Sequence, residues 1–258
     1  RGLSVEMTSR PHHSLPEPVE PAEDNRRPTM LMMAYTHYET DPRVMRAAEA
    51  ARDGGFAVDV VVLRRPGQSS VESVRGVQVF RIQARYRGAS RLQYILQYVG
   101  FLFRCLLVAT RLGIRKKYRV CHVHNMPDLL VFAALVPKVL GAKVFLDIHD
   151  PMQETYESKY SNPAHTLVGK LLLWQERLSV AFADSTITVS EPFKKGILLK
   201  HGYQSDAIGV VSNFADEELF RPMACPPIDG VIRCVFHGTI LERYGLGLLI
   251  DAVSRVRH

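Results

Sequence analysis

The chain has 258 residues, 47% of them apolar, enough for one large domain or about one and a half ordinary ones. Its net charge of +7 and isoelectric point near 9.3 call for an acidic partner, a phosphate or an anionic membrane surface; no motif that reads RNA or DNA accompanies the charge, which argues against nucleic acid. Four cysteines (Cys105, Cys121, Cys225, Cys234) form no C-x-x-C pair, so a zinc site built on cysteine is not expected and a reducing, cytoplasmic setting is.

Residues 1–27 are rich in Pro, Glu, His and Arg and lack apolar periodicity, which predicts a disordered tail. The chain opens on Arg1 and not on Met, so a fragment is expected at this end. "TMLMMAY" from Thr29 reads as a buried first strand. "DPRVMRAAEAARDGG" then reads as a helix, with Asp41 as N-cap, Pro42 at its first position and Gly54-Gly55 at its end. "AVDVVVL" from Ala57 and "VQVFRI" from Val77 predict the second and third strands, followed by a long helix over roughly 90–116. That helix contains the run from Tyr94 to Ile114, long enough to consider as a membrane span. Gln97, Arg104 and Arg111 interrupt it, and a charge near a bilayer's centre costs at least ~2.5 kcal/mol, so a buried or surface-lying helix is expected instead. "RVCHVH" is a fourth strand ending at His124.

"DLLVFAALVPKVLG" predicts one helix bent at Pro137, and "KVFLDIH" a fifth strand. A helix, "STITVS", a further helix and "AIGVVSNF" continue the alternation. Strands apolar on both faces alternating with helices predict an α/β fold with a doubly wound parallel sheet over residues 28–213. The proline-rich stretch 214–229 reads as an interdomain linker, and residues 230–258 as the incomplete start of a second α/β domain, with a strand over 231–236. A protein cut inside its second domain is expected to have lost part of its site.

Ligands of an open parallel sheet bind beyond the carboxyl ends of the strands. Polar groups fall there after the first strand ("THYETDPR"), the fourth ("HNMPD"), the fifth ("DIHDP") and the sixth ("SEP"). His149 should project from a strand end into the cleft, where imidazole meets a sugar hydroxyl or charge building in a transition state. Arg43 and Arg46, in the first turn of the helix opened by Asp41, favour an anion. His122 and His124, two apart on a strand, share a face, as do Asp147 and His149, and the four imitate a metal cluster.

In order and spacing, these segments resemble the family-four glycosyltransferases, retaining enzymes of the GT-B fold. "THYETDPRVMRAAEAARDGGFAVDVVVL" looks like their opening strand, helix and second strand. "HVHNMPDLLVFAALVPKVLGAKVFLDIHD" looks like their middle unit, and "VVSNFADEELFRP" like the N-G-V-D-x-x-x-F-x-P linker. "FHGTILERYGLGLLIDAV" resembles the opening of the donor domain. It departs from G-R-L-x-x-x-K-G, with Thr239 at the arginine and Tyr244 at the lysine, so that Arg243 stands in for the missing charge. The first loop has no glycine pair, and Phe214-Ala215 replaces Gly-Val.

The resemblance implies transfer of a sugar from a nucleotide-diphosphate donor to a glycan or lipid-linked acceptor, with retention and with neither metal nor cofactor. His149 matches the cleft histidine near the transferring sugar, with Asn125 and Asp150 orienting it. His37, Asp41, Arg43, His124 and Asp128 are acceptor-side candidates, and Thr239 and Arg243 donor-side ones. The family's paired glutamates are expected beyond His258, so the chain alone is expected to be inactive. Basic residues around Arg115, Lys116, Lys117 and Arg119 are expected to bring the parent protein to the inner face of an anionic membrane. Two other readings stay open: a metal-dependent hydrolase using His122, His124, Asp147 and His149, and a non-enzymatic nucleotide-binding module.

Overall fold

The computed structural model describes residues 27–84, 91–152, 167–215, 220–221, 230, 233–238, 240 and 244–256. The expected tail up to residue 26, most of the linker, Thr239 and Arg243 lie outside them. By internal packing the chain divides into two units, 1–213 and 214–258.

The first unit is built on one eight-stranded sheet. Its elements are β1 (Thr29–Met33), α1 (Pro42–Asp53), β2 (Ala57–Arg64), β3 (Val71–Val74), β4 (Val77–Ala84), α2 (Arg91–Lys116), β5 (Val120–His124), α3 (Leu135–Val139), β6 (Lys143–Ile148), α4 (Leu167–Phe182), β7 (Ser185–Thr188), α5 (Glu191–His201) and β8 (Ile208–Val210). Strand order is β3-β4-β2-β1-β5-β6-β7-β8, parallel throughout except for β3. From β1 the chain winds outward through β2 and β4, then returns to β5 on the other side of β1. The winding therefore reverses between β1 and β5, where an open sheet leaves a crevice for ligands.

Alternating side chains divide the core. Val58, Val60 and Val62 of β2 face the layer that holds Val44 and Ala48 of α1. Val61 and Leu63 face the layer that holds Phe101, Cys105 and Ala109 of α2. Strands buried on both faces explain the near-continuous apolar runs. One polar residue interrupts β2: Asp59 is buried, and Lys116 Nζ bonds its two oxygens at 2.9 and 2.6 Å while the Tyr118 hydroxyl also donates to it. Burial, followed by that carboxylate's charge, pushes the Tyr118 phenol well up.

Asp41 caps α1 as its sequence position predicts, with Oδ1 accepting from the Val44 N–H at 3.2 Å. Asp41→Ala is expected to cost about 1 kcal/mol in denaturant unfolding, with Asp41→Asn recovering most of it.

Three expectations need correction. Strand β3 was not foreseen, because "VESV" is short and half charged or polar. It forms by folding antiparallel onto β4 through Arg75-Gly76, both at positive φ (49° and 77°), as a tight two-residue hairpin loop requires. The single helix expected after Asp128 is instead a 3-10 stretch, Asp128–Ala134, followed by α3. Pro137 has no N–H to continue an α-helical ladder, so the α-helix starts with Pro137 inside its first turn. In the second unit the expected strand at 231–236 is not formed over the described residues 233–236, where Val235 is exposed. A strand is satisfied by a neighbouring strand, and none is paired with it among the described residues. The following helix, α6 (Leu246–Arg255), does form.

Candidate active site at the carboxyl edge of the sheet

Asp147, the penultimate residue of β6, gathers four side chains. Arg43, one residue beyond Pro42 in α1, grips it with both ends of its guanidinium: Nε to Oδ2 at 2.9 Å and Nη2 to Oδ1 at 2.7 Å. His149 Nε2 lies 3.2 Å from Oδ2, and His122 Nε2 and His124 Nδ1 lie 3.5 Å from it. His122 and His124, on one face of β5, stack at 4.2 Å between ring centroids, and His124 Nδ1 is 3.0 Å from His149 Nε2. The parallel register β5–β6, which sets His124 beside Asp147, brings the two sequence motifs together.

Burial works against a charged Asp147, but hydrogen bonds from His122, His149 and Arg43 overcome it and hold the carboxyl far below the usual range. His124 is 1% exposed, and burial, then His122, drive its imidazole well below the ordinary histidine value, so it is neutral. His149 is the most exposed of the three rings, with 19% of its side chain accessible against 13% for His122 and 1% for His124.

Asn125 fixes the segment that carries His149. Its Oδ1 accepts from the His149 backbone N–H at 2.8 Å, and its Nδ2 donates to the Asp150 carbonyl at 2.8 Å and to Asp128 Oδ1 at 3.0 Å. Asp128 is itself buried, and desolvation pushes its carboxyl up to about 6. On α4, buried Glu176 accepts from His201 Nε2 of α5 at 2.7 Å and adds to that rise.

The expected residues lie at different depths in this arrangement. Asn125 bonds the His149 backbone N–H and the Asp150 carbonyl and so holds the segment that carries His149. Of the acceptor-side candidates, His124 and Asp128 are buried and Arg43 is partly buried, its side chain 11% exposed with three nitrogens bonded. Asp41 gives one carboxylate oxygen to the helix cap. His37 lies partly buried in the loop after β1, its carbonyl accepting from Thr40. Asp147 was expected only in the metal-dependent hydrolase reading, not among the residues of the transferase site. The signal for it was its place two residues before His149, hence on the same face.

His122, His124 and Asp147 offer donor atoms within 4.8 Å of one another, a grouping that could hold a metal ion. The chemistry of the set disfavours one. Both oxygens of Asp147 are already taken by a guanidinium, and a cation would have to sit beside that fixed positive charge.

Residues 40–213 match the model of a family described as the glycosyl transferase 4-like domain, two thirds of the chain. The chain belongs to this glycosyltransferase family. A curated relative from Arabidopsis thaliana, a phosphatidylinositol N-acetylglucosaminyltransferase subunit, is 24% identical over 143 residues, covering 55% of this chain and 30% of its own. The chain thus spans less than a third of that relative's length. Among solved structures, a sucrose-phosphate synthase from Thermosynechococcus elongatus superposes with a TM-score of 0.58 at 15% identity, covering 76% of this chain and 51% of that one. A Phytolacca americana UGT2 complexed with UDP-2fluoro-glucose and pterostilbene gives 0.51 at 9%, covering 76% and 57%. These likenesses show the fold: a Rossmann-like α/β domain of the GT-B type. The Asp147 cluster lies at the carboxyl edge of the sheet, the edge at which open parallel sheets take ligands.

Proposed function

We propose that the protein bearing this chain transfers a sugar from a nucleotide-diphosphate donor to a glycan or lipid-linked acceptor, retaining anomeric configuration, without a bound metal. The observation that carries the reading is His149. It is the most exposed ring of the cluster, it stands at the carboxyl end of β6 beside the point where the winding reverses, and Asp147 and Asn125 hold it from behind. It would meet the transferring sugar, while Thr239 and Arg243 would face the leaving diphosphate, where cationic groups stabilise developing charge. The name of the Arabidopsis relative, which specifies a phosphatidylinositol, supports a lipid acceptor. The test is transfer by the longer protein over a panel of nucleotide-sugars, with the product's anomeric configuration read by NMR. The chain alone is expected to be inactive. No transfer by the longer protein, or full transfer by the chain alone, would refute this reading.

Helix α2 supports a peripheral membrane contact at the cytoplasmic face. Over Ile95–Lys116 it is long and apolar enough to cross a bilayer, but Phe101, Cys105 and Ala109 on its inner side are built into the core. Its outer side exposes Leu96, Val99, Phe103, Leu107 and Ile114. Its 26 residues include no acid and end on Arg115 and Lys116. Such a helix lies on a surface, and each basic residue near anionic lipid adds about 1 kcal/mol. Liposome flotation is expected to require anionic lipid and to weaken with salt, and replacing Arg115, Lys117 and Arg119 by Glu should abolish it. Flotation indifferent to both lipid charge and salt would contradict the contact.

A further inference from the structure

Arg43 has three partners besides its own helix. Two of its nitrogens hold Asp147, and the third, Nη1, donates to the Val211 carbonyl at 2.8 Å and to Asn213 Oδ1 at 3.0 Å. Asn213 is exposed and is the last residue of the first unit. One guanidinium therefore joins the start of α1, the end of β6 and the stretch after β8. It does so through a planar fork whose hydrogen bonds fix the carboxylate in one orientation.

That orientation decides what His149 presents. A carboxylate only accepts hydrogen bonds, and Asp147 Oδ2 is 3.2 Å from His149 Nε2. If the proton of the short contact between the two rings sat on His124 Nδ1, a lone pair on His149 Nε2 would face the carboxylate oxygen at 3.2 Å; with the proton on His149 Nε2 the facing lone pair is that of His124 Nδ1, at the longer distance of 3.5 Å. With the proton on His149 Nε2, that N–H serves both Asp147 and His124, and His149 keeps its lone pair on Nδ1. The buried His124, neutral, then carries its own proton on Nε2, a buried nitrogen that meets no acceptor among the described residues.

We propose that Arg43 is a positioning residue: through Asp147 it locks His149 in the Nε2–H tautomer, so that Nδ1 accepts a hydrogen bond from a hydroxyl of the bound sugar, and through Asn213 it ties this setting to the point where the chain leaves the first unit. The part that concerns the sugar rests on the glycosyl-transfer reading; the tautomer lock does not. Lysine cannot reproduce the fork, so Arg43→Lys is not a conservative change here.

The test is imidazole ¹⁵N NMR on the histidine-labelled 258-residue chain, with His149 assigned by His149→Gln. In the wild type the His149 nitrogens should give the well-separated pair of a single tautomer, protonated at Nε2. Arg43→Gln should merge the pair towards the averaged signals of a mixture, and Asn213→Ala should shift it part of the way. Because Asn213 is exposed, that variant is expected to fold even if Arg43→Gln does not. A wild-type tautomer protonated at Nδ1, or His149 signals unmoved by Asn213→Ala in the folded protein, would overturn the proposal. In the longer protein, Asn213→Ala should lower kcat by about tenfold to a hundredfold at constant KM, the signature of lost orientation. A changed tautomer with unchanged kcat would leave the lock standing and remove His149 from the reaction.

Discussion

Replacing His149 by Ala in the longer protein is expected to lower kcat about a hundredfold while leaving the fold and the unfolding midpoint close to wild type. The side chain is partly exposed at the end of β6, and the groups that hold its segment, Asn125 and the Asp150 carbonyl, bond through backbone atoms that alanine keeps. What disappears is one directed contact with the sugar, together with the ring's contacts to His124 and to Asp147, whose carboxylate keeps the Arg43 fork. A reacting group displaced by about 1 Å costs on the order of a hundredfold in rate. The expected pattern is a fall in kcat and kcat/KM together, because the contact matters most when the sugar is in flight. His149→Gln, which keeps an acceptor at a similar reach, should recover part of the loss. Steady-state kinetics with the donor varied reads both.

Replacing Asp147 by Ala is expected to be the most damaging change to stability, about 3–5 kcal/mol by denaturant unfolding, because it leaves the Arg43 charge buried without its partner. The pH dependence follows from the lowered carboxyl. The folded Asp147 releases its proton far more readily than an unfolded aspartate with a pKa of about 3.9. Its contribution is therefore fully present above about pH 4 and is lost as pH falls below that value towards the folded pKa. Asp128 acts in the opposite sense: raised to about 6 by burial, it favours folding when protonated, and its cost appears as pH rises from about 4 through 6. The gap in stability between wild type and Asp147→Ala should thus be widest at neutral pH and narrow in acid. A gap that did not change from pH 7 to pH 3 would show that Asp147 does not hold its charge through Arg43.

Much of the first unit was legible because its signals are local. Apolar runs of five to eight residues mark β1, β2, β4, β5 and β6, and the Asp41-Pro42 start and Gly54-Gly55 end bracket α1. What escaped depends on partners distant in sequence. β3 carries little apolar signal of its own and exists through the register it shares with β4. The 3-10 stretch after Pro127 has the composition of an α-helix, and its conformation reflects burial of Leu130, Val131, Ala133 and Ala134 ahead of Pro137.

The site was legible as a place, less so as a division of labour. Side-chain alternation put His122 with His124 and Asp147 with His149. Only the β5–β6 register shows that the two pairs converge, and only the Arg43 fork shows that both oxygens of Asp147 are bonded to a guanidinium. The same geometry shows His124 and Asp128 buried and Arg43 bonded to Asp147, which the sequence did not show. No spacing rule could have linked Arg43 to Asn213, 170 residues away.

The most direct measurement is nucleoside-diphosphate release and sugar transfer by the longer protein over a panel of nucleotide-sugars with EDTA present throughout, wild type beside His149→Ala. Transfer by the wild type that persists in EDTA and falls about a hundredfold in the variant is the predicted result. Transfer that EDTA abolishes and zinc or manganese restores, or a variant as active as the wild type, would contradict the account.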